Sequence, residues 1–310
     1  SQPKDELQTM NDIFELTEKP DQKLIYETNK LNDSRLGGFV LTEKKDYENA
    51  DICILGFQKD EKFVSDSIRQ EFYRLTNFGI NKKVLDLGNV KSVENYSQVI
   101  EKVLQDDKRL MIIGAGNELS YQSGFSMANV FGKDRWLAIN VDSHLDSGFE
   151  DRLPDTPSFQ KLLKENLIVP KYFYEIGFQP YFCSPHFFRF LQNHDVKMVS
   201  LEQLRSRETA DLELRELIRQ EFISHSRSMS IFFNFSMNAV RASDAPGVSA
   251  SSPFGLRAGE FLTLIQFAAK LINTKVIQFS EVNPTVDIEN RTSKLVAIAM
   301  HRFCSTAGNV

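Results

Sequence analysis

Trp136-Leu137-Ala138-Ile139-Asn140-Val141 is an apolar run of six residues with one polar member, and Asp142-Ser143-His144-Leu145-Asp146 follows it directly. The run is too short for a core helix and does not alternate as a half-exposed strand would. It reads as a strand covered on both faces, the pattern of a parallel sheet. Ligands of open parallel sheets sit beyond the carboxyl ends of the strands, so the polar residues after Val141 are candidates for a site. Asp142, His144 and Asp146 occupy alternate positions, which lets two carboxylates and an imidazole converge on one locus. Such a set suits Mn²⁺, Zn²⁺ or Mg²⁺, and it equally suits a strand-end turn whose acids accept backbone N–H bonds.

Similar apolar runs recur at 51–57, 83–87, 110–113, 172–177, 196–199, 230–236 and 276–281. Between them lie stretches with helical spacing of apolar residues, at 65–78, 95–105, 119–131, 158–165, 211–224, 257–271 and 289–303. Strand and helix in alternation predict an α/β fold with eight parallel strands. No linker-like composition interrupts the alternation, so residues 35–310 read as one domain and residues 1–34 as a polar segment packed on the sheet edge. Leu24–Tyr26 and Phe39–Leu41 look extended within the polar first fifty residues. The 25 Phe residues are expected to fill the space between helices and sheet.

The chain has 310 residues, 41% of them hydrophobic and 25% charged, enough to bury a large core. Thirty-seven Lys and Arg against 42 Asp and Glu leave a formal charge of −5 with no long basic run, which argues against nucleic acid as a partner. No apolar stretch is long enough to span a membrane and the first residues lack signal-peptide character, so the expectation is a soluble, cytoplasmic protein. Cys53, Cys183 and Cys304 are too far apart for a thiolate metal site, and the five His include no HExxH pair. His186 is expected to be half-buried among aromatics at a helix start, and His194 and His225 to lie at the surface.

Four strand ends carry ordered blocks: Gly114-Ala115-Gly116-Asn117-Glu118, Asp142-Ser143-His144-Leu145-Asp146, Ser236-Met237-Asn238 and Glu281-Val282-Asn283-Pro284. In this order they resemble the blocks of the ureohydrolases, the family of arginase, agmatinase and formimidoylglutamase. Supporting segments at Arg35-Leu36-Gly37, Ile176-Gly177-Phe178-Gln179, Ala245-Pro246-Gly247-Val248-Ser249-Ala250 and Asn290-Arg291-Thr292 make formimidoylglutamase the nearest resemblance. The resemblance implies a three-layer α/β/α fold around an eight-stranded parallel sheet. It also implies two Mn²⁺ ions at the carboxyl edge, whose bridging hydroxide hydrolyses a C–N bond of an amidine or guanidine.

Carried over residue by residue, the resemblance places the six metal-ligand positions at 117, 142, 144, 146, 236 and 238. Asp142, His144 and Asp146 match. Asn117 stands where the family has histidine, and Ser236 and Asn238 where it has aspartates. Two remaining aspartates in place of four would leave about two positive charges uncompensated, a cost of several kcal/mol in a partly buried site. No tightly bound cofactor is therefore expected, although one Mn²⁺ could be held by Asp142, His144 and Asp146 with waters or the amide oxygens of Asn117 and Asn238 completing its shell. Asn117 is expected to bond the turn before the next helix, and Ser236 and Asn238 to bond Asp142 and Asp146. Glu281 matches the family's acid near the cationic end of the substrate, while Arg241 or Arg291 would serve equally as its partner. In the first strand's loop, Gly56-Phe57-Gln58-Lys59-Asp60 lacks the family's glycine-rich entrance segment, so an altered pocket mouth is expected.

The leading expectation is a ureohydrolase-fold protein without the binuclear mechanism, acting in binding, regulation or assembly. It would take a small cationic amidine or guanidine ligand, and would associate with itself or with an active relative. The alternative is a hydrolase of N-formimino-glutamate, arginine or a similar amidine that works through one metal ion with Glu281 positioning the substrate.

Overall fold

The computed structural model describes residues 12–25, 32–57, 64–145, 158–205 and 229–307. The called helix at 211–224, His225, Tyr26, Asp146 and the loop after Phe57 lie outside those residues. The eight expected strands are present as β2 (Ile52–Gly56), β3 (Val84–Val90), β4 (Arg109–Ala115), β5 (Trp136–Val141), β6 (Phe173–Phe178), β7 (Lys197–Ser200), β8 (Ser230–Ser236) and β9 (Thr274–Ser280). All pair in parallel, in the order β3-β2-β4-β9-β8-β5-β6-β7.

A ninth strand was not expected. Thr17–Glu18 (β1) adds antiparallel to β3, with Thr17 opposite Val90 and Glu18 opposite Asn89. The N-terminal region thus meets the sheet edge through this pair. Of the two pieces expected to be extended, Leu24 lies in a 3₁₀ turn (Gln22–Leu24), whereas Leu41 bridges Leu85 in parallel. A two-residue strand carries no periodicity that a sequence could reveal.

Each strand sorts alternate residues to opposite faces. From β2, Ile52 and Ile54 join one apolar cluster, and Cys53 and Leu55 join the other. The first cluster also contains residues of α2 (Val64–Arg74), α8 (Ala258–Lys270) and α9 (Arg291–Thr306). The second contains residues of α3 (Val93–Gln105), α4 (Ser120–Phe131), α5 (Ser158–Lys164) and α6 (Pro185–Asn193). Helices therefore cover both faces, as the apolar strands require. Two short helices complete the described set, α1 (Ile13–Leu16) and α7 (Leu201–Arg205).

The expected helix from 65 to 78 ends at Arg74. There the chain turns to pair with an earlier segment: Thr76 bridges Arg35, and the Asn77 N–H donates to the Ser34 carbonyl. Helix α6 begins as its sequence signals, with Ser184 accepting from the Phe187 N–H and Pro185 in the first turn. The Phe residues form core as expected. Phe235 stacks on Phe233 at 5.6 Å and on Phe279 at 6.1 Å, and meets Phe261 edge-on.

Candidate active site

The loops that follow β4, β5, β8 and β9 bring six of the seven singled-out residues to the carboxyl edge of the sheet; Asp146 lies outside the described residues. The end of β4 depends on Gly114, at φ +80°, where an added Cβ would stand 2.4 Å from the Phe57 carbonyl oxygen. The chain then passes through Gly116 into a 3₁₀ turn (Asn117–Leu119), which turns Asn117 inward and buries it.

Asn117 does more than brace that turn. Its Nδ2 donates to Asp142 Oδ2 at 3.0 Å, and its Oδ1 accepts from Ser280 Oγ at 2.8 Å and Asn234 Nδ2 at 3.3 Å. Its backbone N–H donates to Glu281 Oε1 at 2.8 Å, and its carbonyl accepts from Ser158 Oγ. Asp142 is fully buried, and its Oδ1 accepts from the His144 backbone N–H at 3.1 Å. His144 Nδ1 lies 2.9 Å from Ser143 Oγ and 3.5 Å from Asp142 Oδ1, while the ring stacks on Phe182 at 5.0 Å.

Among the described residues neither Ser236 nor Asn238 bonds Asp142, and Asp146, their other expected partner, lies outside those residues. Asn238 Oδ1 accepts from the Ala250 N–H at 3.2 Å, and its side chain lies close enough to Glu281 to favour that carboxyl's anion. Ser236 is 1% exposed, and its Oγ has no hydrogen-bond partner among the described residues. A buried hydroxyl without a partner costs about 1–3 kcal/mol, so Ser236→Ala is expected to raise stability by about 1 kcal/mol in urea unfolding. A loss of stability would show that the hydroxyl has a partner.

Glu281 pairs with neither arginine proposed for it. Arg241 bonds Asp244 at 2.9 Å, and Arg291 donates to the Ser243 carbonyl at 3.2 Å with Glu289 at 4.0 Å. Burial, together with the nearby Asp142 and Glu118 carboxylates, holds the Glu281 carboxyl above the ordinary glutamate range, against the Asn117 N–H and the Asn238 side chain that favour its anion. Its backbone is left-handed, φ 69°, a conformation that costs a non-glycine residue on the order of 1–3 kcal/mol and is retained only where surroundings impose it. The Val248–Val282 bridge and the Asn283 N–H bonded to the Gly247 carbonyl impose it here. His186 is exposed rather than half-buried, because α6 turns Phe187 and Leu191 inward instead, and His194 is exposed as expected.

Sequence reasoning missed the residues behind Asn117. Asn140, Glu175, Asn234 and Gln278 stand in register across β5, β6, β8 and β9, all on the α3/α4 side and all buried. Asn140 Nδ2 donates to Glu175 Oε2 at 2.9 Å, and Asn234 Nδ2 donates to Asn140 Oδ1 at 2.8 Å as well as to Asn117. Gln278 Nε2 donates to Asn234 Oδ1 at 3.1 Å and to Ser120 Oγ, and its Oε1 accepts from Ser123 Oγ. One polar residue inside each of four apolar runs was the available signal, and it acquires meaning only once the register is known.

A family model described as the arginase family matches residues 51–305. The chain belongs to the arginase family. Formimidoylglutamase of Macrococcus caseolyticus is 27% identical over 295 residues, covering 88% of this chain and 91% of that protein. A crystal structure of Trypanosoma cruzi formiminoglutamase is 26% identical, covers 89% of this chain and 100% of its own, and superimposes with a TM-score of 0.76. That enzyme is also described with Mn²⁺, both unsubstituted and as a variant with histidine in place of an asparagine. Formimidoylglutamase of Bacillus subtilis shares the fold, with a TM-score of 0.77 at 21% identity over 91% of this chain and 94% of its own. The nine-stranded, mostly parallel sheet with its polar carboxyl edge is the arginase fold.

Against the pair of manganese ions that the resemblance implies, the donor set can be tested group by group. Asn117 presents N–H rather than oxygen to Asp142, and Asn238 has its oxygen taken by a backbone N–H. Ser236 offers a neutral hydroxyl where the resemblance calls for a bridging carboxylate. Among the described residues no three His, Cys, Asp or Glu side chains converge as a metal-binding group. The described residues do not fit the pair.

Proposed function

We propose that this chain is a formimidoylglutamase-like member of the arginase family that has given up the binuclear manganese centre, and that it serves as a binding, regulatory or assembly component instead of a hydrolase. The observation that carries this reading is the Asn117 amide donating to Asp142, because it puts a hydrogen-bond donor where a ligand oxygen or imidazole nitrogen would be needed. Asparagine at one ligand position is weak support alone, given the Mn²⁺ described for the Trypanosoma cruzi enzyme. Ser236 and Asn238 add to it, since they remove both carboxylates expected after β8.

The remaining charge favours a small organic cation. Asp142 and Glu118 lie near enough to raise the Glu281 carboxyl, and the two arginines proposed for Glu281 contact other groups. An amidinium or guanidinium needs two acceptors in one plane and no inner-sphere exchange of water, so these carboxylates suit it better than they suit Mn²⁺. Self-association, or association with an active relative, belongs to the same proposal.

Metal analysis of freshly purified protein, with hydrolysis assays on N-formimino-L-glutamate and L-arginine in added Mn²⁺, tests the reading. Manganese well below one ion per chain, with no formamide, urea or ammonia released above background, is the expected result. Two ions per chain, or turnover that disappears in Asp142→Ala, would overturn it.

A further inference from the structure

The amides behind the site form a chain with a direction. Asn234 donates through one amide nitrogen to both Asn117 Oδ1 and Asn140 Oδ1; Asn117 then donates to Asp142, and Asn140 to Glu175. At both outer ends the amide N–H donates to a carboxyl oxygen, Asp142 Oδ2 at one and Glu175 Oε2 at the other. The amide directions therefore follow from the two ends: N–H outward to each acid, carbonyl inward to Asn234.

A reversed arrangement satisfies nearly every member. If Asn117, Asn234, Asn140 and Gln278 all turned over, Asn117 and Asn140 would each donate to Asn234, and Asn234 would donate to Gln278. The hydroxyls of Ser280, Ser120 and Ser123 can serve as donor or acceptor and would adapt. Asn117 would then face Asp142 with its oxygen, and two oxygens would line the locus for a cation. Without a cation both ends oppose this; with a cation seated between the Asn117 and Asp142 oxygens the opposition at that end disappears, and the one that remains is Glu175, against which the Asn140 carbonyl would be set.

We propose that Glu175, acting through Asn140 and Asn234, is the positioning residue that holds the Asn117 amide with its N–H toward Asp142, and that it thereby closes this locus to a metal ion. The inference rests on the reading given under Proposed function and supplies its lock. Glu175 acts on Asn117 by way of amide direction, through the bonds that link it to Asn140, Asn140 to Asn234 and Asn234 to Asn117.

Mn²⁺ titration followed by the electron paramagnetic resonance of the free ion tests this in the full-length chain. Glu175→Gln is nearly isosteric and removes one negative charge, so electrostatics alone predicts weaker Mn²⁺ binding. The lock predicts the opposite sign, a gain of about tenfold in affinity, because the substituted amide can donate to the Asn140 carbonyl and one hydrogen bond's worth of opposition disappears. Asn234→Ala breaks the chain at its centre and should give a gain of similar size. The double variant should gain no more than either single change, since both remove the same constraint. An affinity unchanged or weakened in Glu175→Gln, or gains that multiply in the double variant, overturns the proposal. Unsubstituted protein that already holds two ions overturns the functional reading and the lock with it, whereas an unresponsive Glu175→Gln in metal-free protein overturns the lock alone, so the two failures are distinct.

Discussion

Asn117→His combined with Ser236→Asp and Asn238→Asp is expected to raise Mn²⁺ affinity by on the order of a thousandfold over the unsubstituted chain, about 4 kcal/mol. The change returns an imidazole and two carboxylates to a locus that now holds neutral groups, and four acids would then balance two divalent ions. Without metal the same variant should be destabilised, because Asp142 is fully buried and would face new like charges. Thermal unfolding with and without Mn²⁺ should therefore diverge strongly in the variant and hardly at all in the parent. Metal analysis and calorimetry measure the gain. A triple variant that folds and yet takes up no manganese would show that these three positions are not the ligand positions.

Arg69→Leu is expected to cost about 3–5 kcal/mol of stability, the largest loss anticipated from a single change. Arg69 and Asp86 are both fully buried and bonded twice, Nε to Oδ2 at 2.8 Å and Nη2 to Oδ1 at 3.0 Å. Tyr73 donates its hydroxyl to Asp86 at 2.6 Å, and the Gly88 N–H donates to the same carboxylate at 2.8 Å. Burial alone would depress the guanidinium, and Asp86 more than offsets it, leaving Arg69 held above its ordinary range. Removal of the arginine strands a carboxylate in the interior with two neutral donors. Urea unfolding gives the size of the effect, and replacing Arg69 and Asp86 together by leucine should cost less than Arg69→Leu alone. If the double change costs more, the pair contributes through something other than mutual compensation of charge.

The position of the site was legible because the ends of buried parallel strands are where polar residues stand out against an apolar background. Asp142, His144, Asn117, Ser236, Asn238 and Glu281 all lie at the carboxyl edge on this ground alone. Their partners were less legible. Asp142 and Asp146 were the partners expected for Ser236 and Asn238; among the described residues neither bonds Asp142, Asn238 accepting from the Ala250 N–H instead, and Asp146 lies outside those residues. Partner choice depends on ångström differences between loops far apart in sequence, and spacing along one segment carries no information about them.

The alternation of short apolar runs with helical spacing determined the α/β class and the eight parallel strands, because burial on both faces leaves a composition that no surface strand has. The residue types at six strand-end positions determined which of the metal-ligand groups implied by the resemblance are present and which are not. Only the tertiary structure decided the antiparallel ninth strand, the left-handed turn at Glu281 and the direction of the Asn117 amide. Each of these depends on groups brought together from distant segments. Hydrogen-bond direction in particular is a property of a closed set of donors and acceptors, and Asn140, Glu175, Asn234 and Gln278 become such a set only when four strands lie in register.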